Sequence, residues 1–209
     1  MNTPVAPVKI TVLGATGMAG SRIVDEALTR GHAVTAVARR HDEQAPARDG
    51  LQRVTADVTD LAALTLKAAD VVVSALPARV ALPLLPELTA RAVGRRLLFV
   101  GGAGSLRLPS GERVIDQPGF REEWKPEASA HVELLDALRA LPQDVDWTFL
   151  SPSALFLPGE RTGTFRFGGD DLLADADGTS RISAEDYAIA LLDEIETPRH
   201  SRRRFTVGY

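Results

Sequence analysis

The sequence of 209 residues contains no cysteine. This absence excludes a disulfide framework, thiol catalysis, and zinc or iron–sulfur sites with cysteine ligands. The four histidines are scattered without metal-ligand spacing, so we expect no metal site. No stretch approaches the roughly 20 apolar residues of a membrane span. The opening residues, MNTPVAPV, lack the basic and apolar regions of a signal peptide, so we expect a soluble, cytoplasmic protein without a membrane partner.

The chain also lacks a strong excess of either charge, since its net charge is −4 at pH 7. This balance argues against nucleic acid as a partner. The basic run Arg202 to Arg204 alternates into Phe205 and Val207, which is typical of a terminal strand with one solvated face. The length suits one α/β domain and is too short for a nucleotide-binding domain joined to a separate substrate domain. We therefore expect a single domain over residues 1–209.

Residues 9–33 read KITVLGATGMAGSRIVDEALTRGHA, which predicts a strand, a glycine-rich turn and an amphipathic helix in succession. Gly14 would let the chain turn sharply off the strand, and Gly17 would let backbone amides approach a pyrophosphate at the helix N-terminus. Gly20 would remove a side chain where the helix meets the sheet. A structural turn is the alternative for the glycines alone, but the flanking strand and helix favour a dinucleotide-binding βαβ unit.

Strand-like and helical patterns alternate through the rest of the chain. Further strands are predicted at 32–38, 51–56, 70–75, 97–100 and 145–150, and helices at 61–69, 82–93 and 128–141. This order predicts a doubly wound parallel sheet with helices on both faces, a Rossmann-like α/β fold whose ligands lie beyond the carboxyl ends of the strands. Near the C-terminus, 164–167 predicts a short strand, and Ser183 with Asp186 forms a capping box that opens a helix through Ile195. This last part would form a small substrate region.

The second and third predicted strands end in candidate cofactor contacts. Arg39 and Arg40 lie about 20 residues beyond the glycine turn, where an NAD-selective protein usually carries an acid. Arginine suits a 2′-phosphate, so we expect NADP in preference to NAD, although a surface cation closing an exposed strand is the alternative. Asp57 could accept a hydrogen bond from the adenine amino group, with Val58 beside it. Capping of the following turn is the alternative role for the Asp57 side chain.

The next strands lead toward the nicotinamide and the substrate. Small residues at 75–77 suit close passage of the cofactor ribose. Gly101 and Gly102 would let the nicotinamide half lie against the backbone, and Ser105 is the nearest hydroxyl able to orient a substrate. Residues 152–154, after the sixth strand, would contact the carboxamide.

His131 opens a helical stripe that continues through Leu134, Leu135 and Leu138, so it is predicted to face inward. Proximity to the helix N-terminus should favour neutral imidazole. A cofactor or catalytic role competes with that of a structural histidine.

Residues 101–127 predict a long loop rich in glycine and proline, which we interpret as a lid or substrate loop. Phe120 and Trp124 in this loop are candidates to stack on a planar substrate, and Phe156 would wall the pocket. Ordinary packing is the alternative for these aromatic residues. Neither tyrosine has a lysine four residues later, because Leu191 stands there after Tyr187 and no residue follows Tyr209.

Four segments of the chain resemble the atypical short-chain dehydrogenase/reductase group, and within it the NADH-flavin reductase branch of NAD(P)H-binding proteins. These segments are GATGMAG, FVGGAGSL, DWTFLSPSALFLPGERTGTFRFGGD and ISAEDYAIALLDEIETPRHSRRRFTVGY. The resemblance covers nearly the whole chain and implies one Rossmann-like domain that binds NAD(P). With the positions read from the strand ends, the expected cofactor contacts are Gly14, Thr16, Gly17, Met18, Gly20, Arg39, Arg40, Asp57, Val58, Ala75, Leu76, Pro77, Gly101, Gly102, Pro152, Ser153 and Ala154.

The missing Tyr-x-x-x-Lys pair, which the parent superfamily uses for acid/base chemistry, bears on the reaction. Reduction of a ketone needs a positioned proton donor, whereas hydride transfer to a flavin chiefly needs stacking and orientation. We therefore expect an NAD(P)H-dependent oxidoreductase whose small-molecule acceptor is FMN, another flavin or a similar planar compound. A non-catalytic, NmrA-like regulator that senses NADP(H) is the alternative, and a sugar-nucleotide epimerase is disfavoured by the short chain and the missing pair.

Overall fold

The computed structural model describes residues 6–61 and 64–209, and its centre is a mostly parallel sheet. The strands in this part of the chain are β1 (Lys9–Leu13), β2 (Ala33–Ala38), β3 (Leu51–Thr55), β4 (Val71–Ser74), β5 (Arg96–Val100), β6 (Trp147–Ser151), β7 (Leu155–Leu157), β8 (Arg166–Gly168), β9 (Arg181–Ser183) and β10 (Arg203–Gly208). The helices are α1 (Met18–Thr29), α2 (Ala78–Arg91), α3 (Lys125–Arg139) and α4 (Ala184–Glu196). None of the helices described is long and apolar enough to cross a membrane.

The central sheet has eight strands in the order β3-β2-β1-β4-β5-β6-β10-β8, and only β8 runs antiparallel to its neighbour. The inner strands are continuous apolar runs because both faces of the sheet are covered. Helices α1 and α4 pack together on one face, and α2 and α3 pack together on the other. The predicted doubly wound, Rossmann-like fold is therefore confirmed.

The strand order reverses between β1 and β4, which lie side by side. The chain runs outward from β1 through β2 to β3, and then outward in the opposite direction from β4 through β5 to β6. Such a reversal opens a crevice beyond the carboxyl ends of the strands, where doubly wound folds bind ligands. The glycine turn after β1 lies at this crevice.

Several predicted element boundaries were wrong. The second helix begins at Ala78 instead of residue 82, and the third begins at Lys125 instead of residue 128. Where a helix was predicted over 61–69, the described part contains a short 3-10 turn at Leu66–Ala68, and residues 62 and 63 lie outside the described residues. The predicted N-cap is confirmed, because the Ser183 hydroxyl accepts a hydrogen bond from the Asp186 N–H at the start of α4. The reciprocal half of the capping box is not formed, since the Ser183 N–H donates to the Tyr209 hydroxyl.

The last strand differs from its prediction. Both faces of β10 are buried, and Arg204 does not face solvent, since its side chain is only 3% exposed. The predicted short strand at 164–167 lies instead at Arg166–Gly168 and pairs with β10. A second, two-stranded sheet of β7 and β9 follows the carboxyl end of β6 and was not predicted.

Candidate functional site

The glycine turn packs directly on the neighbouring strand end. Gly14 has a φ of +81°, in the left-handed region that favours glycine. A Cβ at Gly14 would lie 2.7 Å from the Ala75 carbonyl oxygen, so no side chain fits there. The Gly14 N–H donates to the Val37 carbonyl at 3.0 Å, which fixes the turn to β2. The turn, β2 and the end of β4 are thus held together around the crevice.

Gly17 and Gly20 shape the start of α1. Gly17 occupies the N-cap position, and no described side chain caps this helix. The N–H groups of the first helical turn are therefore left for a ligand, as in pyrophosphate-binding turns. A Cβ at Gly20 would lie 2.1 Å from the Gly14 carbonyl oxygen, which explains why a glycine is kept inside the helix. Thr16 is exposed beside this turn, and Met18 is half-buried.

Beyond β2, Arg39 and Arg40 are both exposed. Asp57 accepts hydrogen bonds from the Thr59 N–H and hydroxyl, each at 2.9 Å, so its side chain caps the turn after β3. These bonds hold the pKa of Asp57 below its usual value, and the nearby charge of Arg39 adds to the effect. Val58 is buried beneath the turn. The turn-capping alternative for Asp57 is thus what the structure displays.

The end of β4 is tied to α3 by Glu127, which sequence reasoning did not single out. The Glu127 carboxylate accepts from the Ala78 N–H at the start of α2, and it also accepts from Arg79 Nε at 2.9 Å. The bend at 75–77, with its half-buried and exposed side chains, is therefore held in place by α3, which packs beside α2. This capping contact spans 49 residues of sequence and carries no local signal.

After β5, the chain packs closely on α3 and β6. A Cβ at Gly101 would lie 2.3 Å from Cε1 of Phe149, and one at Gly102 would lie 2.9 Å from Cδ2 of His131. The His131 ring meets Phe149 edge-on, with a centroid separation of 6.2 Å. The predicted inward orientation of His131 is confirmed, and the imidazole lies against the glycine backbone expected to border the nicotinamide.

The electrostatics of His131 follow from its burial. Its side chain is 14% exposed, and Nε2 lies 3.5 Å from a carboxylate oxygen of Glu127. Nδ1 is buried without a hydrogen-bond partner among the described residues. Burial lowers the pKa of His131 below its usual value, although the charge of Glu127 opposes this shift. Desolvation of the charged form therefore favours the neutral imidazole near pH 7.

Ser105 lies in a separate polar cluster and has no described contact with His131. Its hydroxyl accepts from Arg204 Nη1 at 3.4 Å, and Arg204 Nε donates to Asp170 at 2.7 Å. The desolvating surroundings of Arg204 lower its pKa, while Asp170 counteracts that shift. The cluster ties the loop after β5 to the segment before α4. The described residues contain no group of three acidic or histidine side chains able to hold a metal ion.

The loop predicted over 101–127 ends at Trp124, because α3 begins at the next residue. Leu106 is fully buried and Val114 is 8% exposed, so the first half is packed down. Trp124 is 51% exposed, with Phe120 edge-on at 6.4 Å and the Arg121 guanidinium 4.5 Å from its ring centroid. The aromatic end of the loop, by contrast, lies at the surface.

The residues after β6 divide between core and surface. Pro152 and Ser153 are buried, and the Ser153 hydroxyl donates to the Val207 carbonyl at 3.0 Å, so this side chain serves the packing of β10. Ala154 is exposed. Phe156 packs on Tyr187 at a centroid distance of 4.6 Å, and the Tyr187 hydroxyl is fully buried and donates to the Leu150 carbonyl at 2.7 Å.

Comparison with known proteins agrees with this geometry. Residues 14–198 match the model of the NAD(P)H-binding family. The chain is 41% identical to the uncharacterized protein YwnB of Bacillus subtilis (strain 168), over 95% of this chain and 97% of that protein. A provisionally assigned epimerase from Bacteroides thetaiotaomicron superposes with a TM-score of 0.88 at 39% identity, covering 97% of each chain. A provisionally assigned NADH-flavin reductase from Streptococcus pneumoniae TIGR4 superposes with a TM-score of 0.83 at 36% identity, covering 96% of this chain and 99% of that one.

Proposed function

Because the chain belongs to the NAD(P)H-binding family, we propose that it is an NADPH-dependent oxidoreductase whose acceptor is a flavin or a similar planar compound. The observation that carries the proposal is the glycine-lined crevice at the carboxyl edge of the sheet. Gly14 and Gly102 border it at positions where a Cβ would collide with Ala75 and His131, respectively. Glycine at these positions lets the strand ends and the His131 ring approach closely, and the turn leads directly into the uncapped first turn of α1, an arrangement that suits a bound dinucleotide.

The residues around the crevice could each contact a different part of a bound dinucleotide. The uncapped first turn of α1 would hold the pyrophosphate, and the exposed Arg39 would pair with a 2′-phosphate. Gly102 and His131 would border the nicotinamide. When bound, the reduced nicotinamide supplies a hydride, which carries two electrons and one proton, while solvent can provide the second proton that a flavin takes up.

The two tyrosines support a planar acceptor over a ketone. The Tyr187 hydroxyl is buried against the Leu150 carbonyl, and burial raises its pKa far above the usual value. The Tyr209 hydroxyl is bonded to Ser183 and Asp186 at 2.9 and 2.8 Å. Within the described part of the chain, neither hydroxyl is hydrogen-bonded to a lysine, the neighbour that activates a reductase tyrosine. The neutral imidazole of His131 would orient a ring by contact and hydrogen bonding, without serving as an indispensable acid.

The test is anaerobic stopped-flow mixing of the protein with NADPH and FMN, followed at the nicotinamide absorbance. We expect oxidation of NADPH well above the rate without protein. Quinones and aldehydes serve as alternative acceptors in parallel reactions. Tight NADP(H) binding without turnover of any acceptor would instead identify a regulator that senses the cofactor.

A further inference from the structure

A cavity of about 610 Å³ lies on the outer face of the small β7–β9 sheet. Phe156 and Ile182 are paired across this sheet and point into the core, so their strand neighbours point outward. Leu155 and Leu157 are consequently 49% and 62% exposed, and they form an apolar floor. The ring of Tyr209 stands beside this floor as a wall.

The rim of the cavity is fixed by one buried carboxylate. Asp186 is fully buried and accepts hydrogen bonds from the Thr162 hydroxyl, the Gly163 N–H and the Tyr209 hydroxyl. These three donors come from the loop before β8 and from the end of β10. Asp186, at the start of α4, therefore holds both of these segments in place. A cavity that is held in this way is largely formed before a ligand arrives.

Two charged residues, Arg181 and Glu160, line the cavity beside the apolar floor. Arg181 lies opposite Leu155 in the β7–β9 register, and its guanidinium is 6.0 Å from the centroid of the Tyr209 ring. Its side chain is 59% exposed, and Nε contacts Asp175 at 3.4 Å. The terminal nitrogens have no hydrogen-bond partner among the described residues and point to a negatively charged group on the ligand.

The cavity adjoins the cofactor crevice. Leu155 directly follows Ala154, the last expected cofactor contact after β6. On the other side, the Gly159 N–H donates to Glu185, which pairs with Arg22 in the first two turns of α1. The cavity therefore lies at the same edge of the sheet as the glycine turn.

From these contacts we infer that the Leu155–Leu157–Arg181–Tyr209 cavity is the acceptor site, and that it takes a planar conjugated molecule carrying a phosphate or carboxylate. The leucines and Tyr209 cover the planar part, and Arg181 pairs with the anionic group. This inference rests on the proposed function and names the acceptor's site and charge.

Equilibrium titration tests the site without turnover. FMN and riboflavin, which differ by one phosphate, are titrated by flavin fluorescence in the presence of saturating NADP⁺. Leu157→Asp should weaken both flavins on the order of tenfold, because it places a charge in the apolar floor. Arg181→Gln should weaken FMN on the order of tenfold and change riboflavin by less than about twofold.

Val93→Asp is the matched control, since Val93 is 75% exposed and lies before β5, at the opposite edge of the sheet. This variant should bind both flavins as the parent does. Thermal unfolding of each variant checks folding, and NADPH affinity should be unchanged in all of them.

Three results would overturn the inference. The first is unchanged flavin binding in Leu157→Asp and Arg181→Gln. The second is no flavin binding by a parent protein that binds NADPH. The third is a change of oligomeric state in light scattering with flavin affinity retained, which would make the leucine face a contact between copies of the chain. Flavin bound at this face without any NADPH oxidation would instead defeat the proposed function and leave the site standing.

Discussion

The imidazole of His131 lies on the backbone of Gly102, so close that a Cβ at position 102 would stand 2.9 Å from Cδ2 of the ring. Glu127 lies one helical turn before His131 and caps α2 with the same carboxylate that faces the ring. The position of the imidazole thus depends on a glycine after β5 and on a carboxylate that also holds the end of β4. Substitution of either neighbour therefore tests how the His131 ring is held in place.

Gly102→Ala should displace the His131 ring. The added methyl group has no space, and overpacking of this kind costs about 1 to 3 kcal/mol of unfolding free energy. Gly119→Ala is the matched control, because a Cβ there meets nothing within 4 Å. Urea unfolding and NADPH titration of both variants provide the measurement. Equal stability and affinity in the two alanine variants would show that His131 is not held by Gly102.

His131→Gln should keep measurable flavin reduction while raising the Michaelis constant, because we assign His131 to orientation. The amide keeps a polar group of similar reach, whereas it cannot act as an acid or base. Steady-state kinetics with NADPH and FMN measure the change. A variant that folds and binds NADPH normally but has lost all turnover would make His131 an acid/base residue and contradict the mechanism.

The same residue should make stability depend on pH. Burial holds the pKa of His131 below its ordinary 6.5, so the unfolded chain takes up a proton at a pH where the native protein does not. Stability is therefore fully present above pH 6.5 and decreases as the pH falls toward the native value. Urea unfolding at about pH 7.5 and about pH 5.5 should show a smaller loss in His131→Gln than in the parent. Equal losses would contradict the assignment, since the other histidines are common to both proteins.

The sheet could be predicted from local patterns, because buried parallel strands are short apolar runs separated by helical stripes. The start of α2 could not be predicted in this way, since its cap is Glu127, which is distant in sequence and belongs to α3. The same limit explains Arg204, whose buried side chain is hydrogen-bonded to Ser105, Ser151 and Asp170, from three segments of the chain. Hydrogen bonds between residues far apart in sequence determine both features, and a single sequence does not indicate which distant residues will meet.

The glycines of the candidate site were accessible to sequence reasoning because each serves a local geometric need. The β7–β9 cavity was not, since its floor lies on β7, which pairs with β9 in a sheet of three-residue strands, and its rim is set by Asp186. Residues 155–157 are apolar throughout, and this short run before Pro158 and Gly159 could have indicated a strand but not which of its faces is exposed.

Arg39→Ala should weaken NADPH while leaving NADH nearly unchanged. A charge-assisted contact with the 2′-phosphate contributes roughly 1.5 to 3 kcal/mol, which corresponds to a loss on the order of tenfold or more. Arg91→Ala on α2 is the control, because this arginine pairs with Glu87 in the last turns of a helix away from the crevice. Calorimetry of the parent protein comes first. Equal affinities for NADPH and NADH in the parent would refute the preference.

Trp124→Ala should lower flavin turnover and leave NADPH affinity nearly intact, because the sites proposed for the pyrophosphate and adenine lie elsewhere along the crevice. The indole is half-exposed and contacts Phe120 and Arg121, so it should contribute little to folding. Phe167→Ala, which removes an aromatic ring of similar exposure from β8, is the control. Melting temperature and kinetics are measured together. If Trp124→Ala lost much stability while the folded fraction kept its specific activity, the indole would be packing, and the end of this loop would not act as a lid over the acceptor.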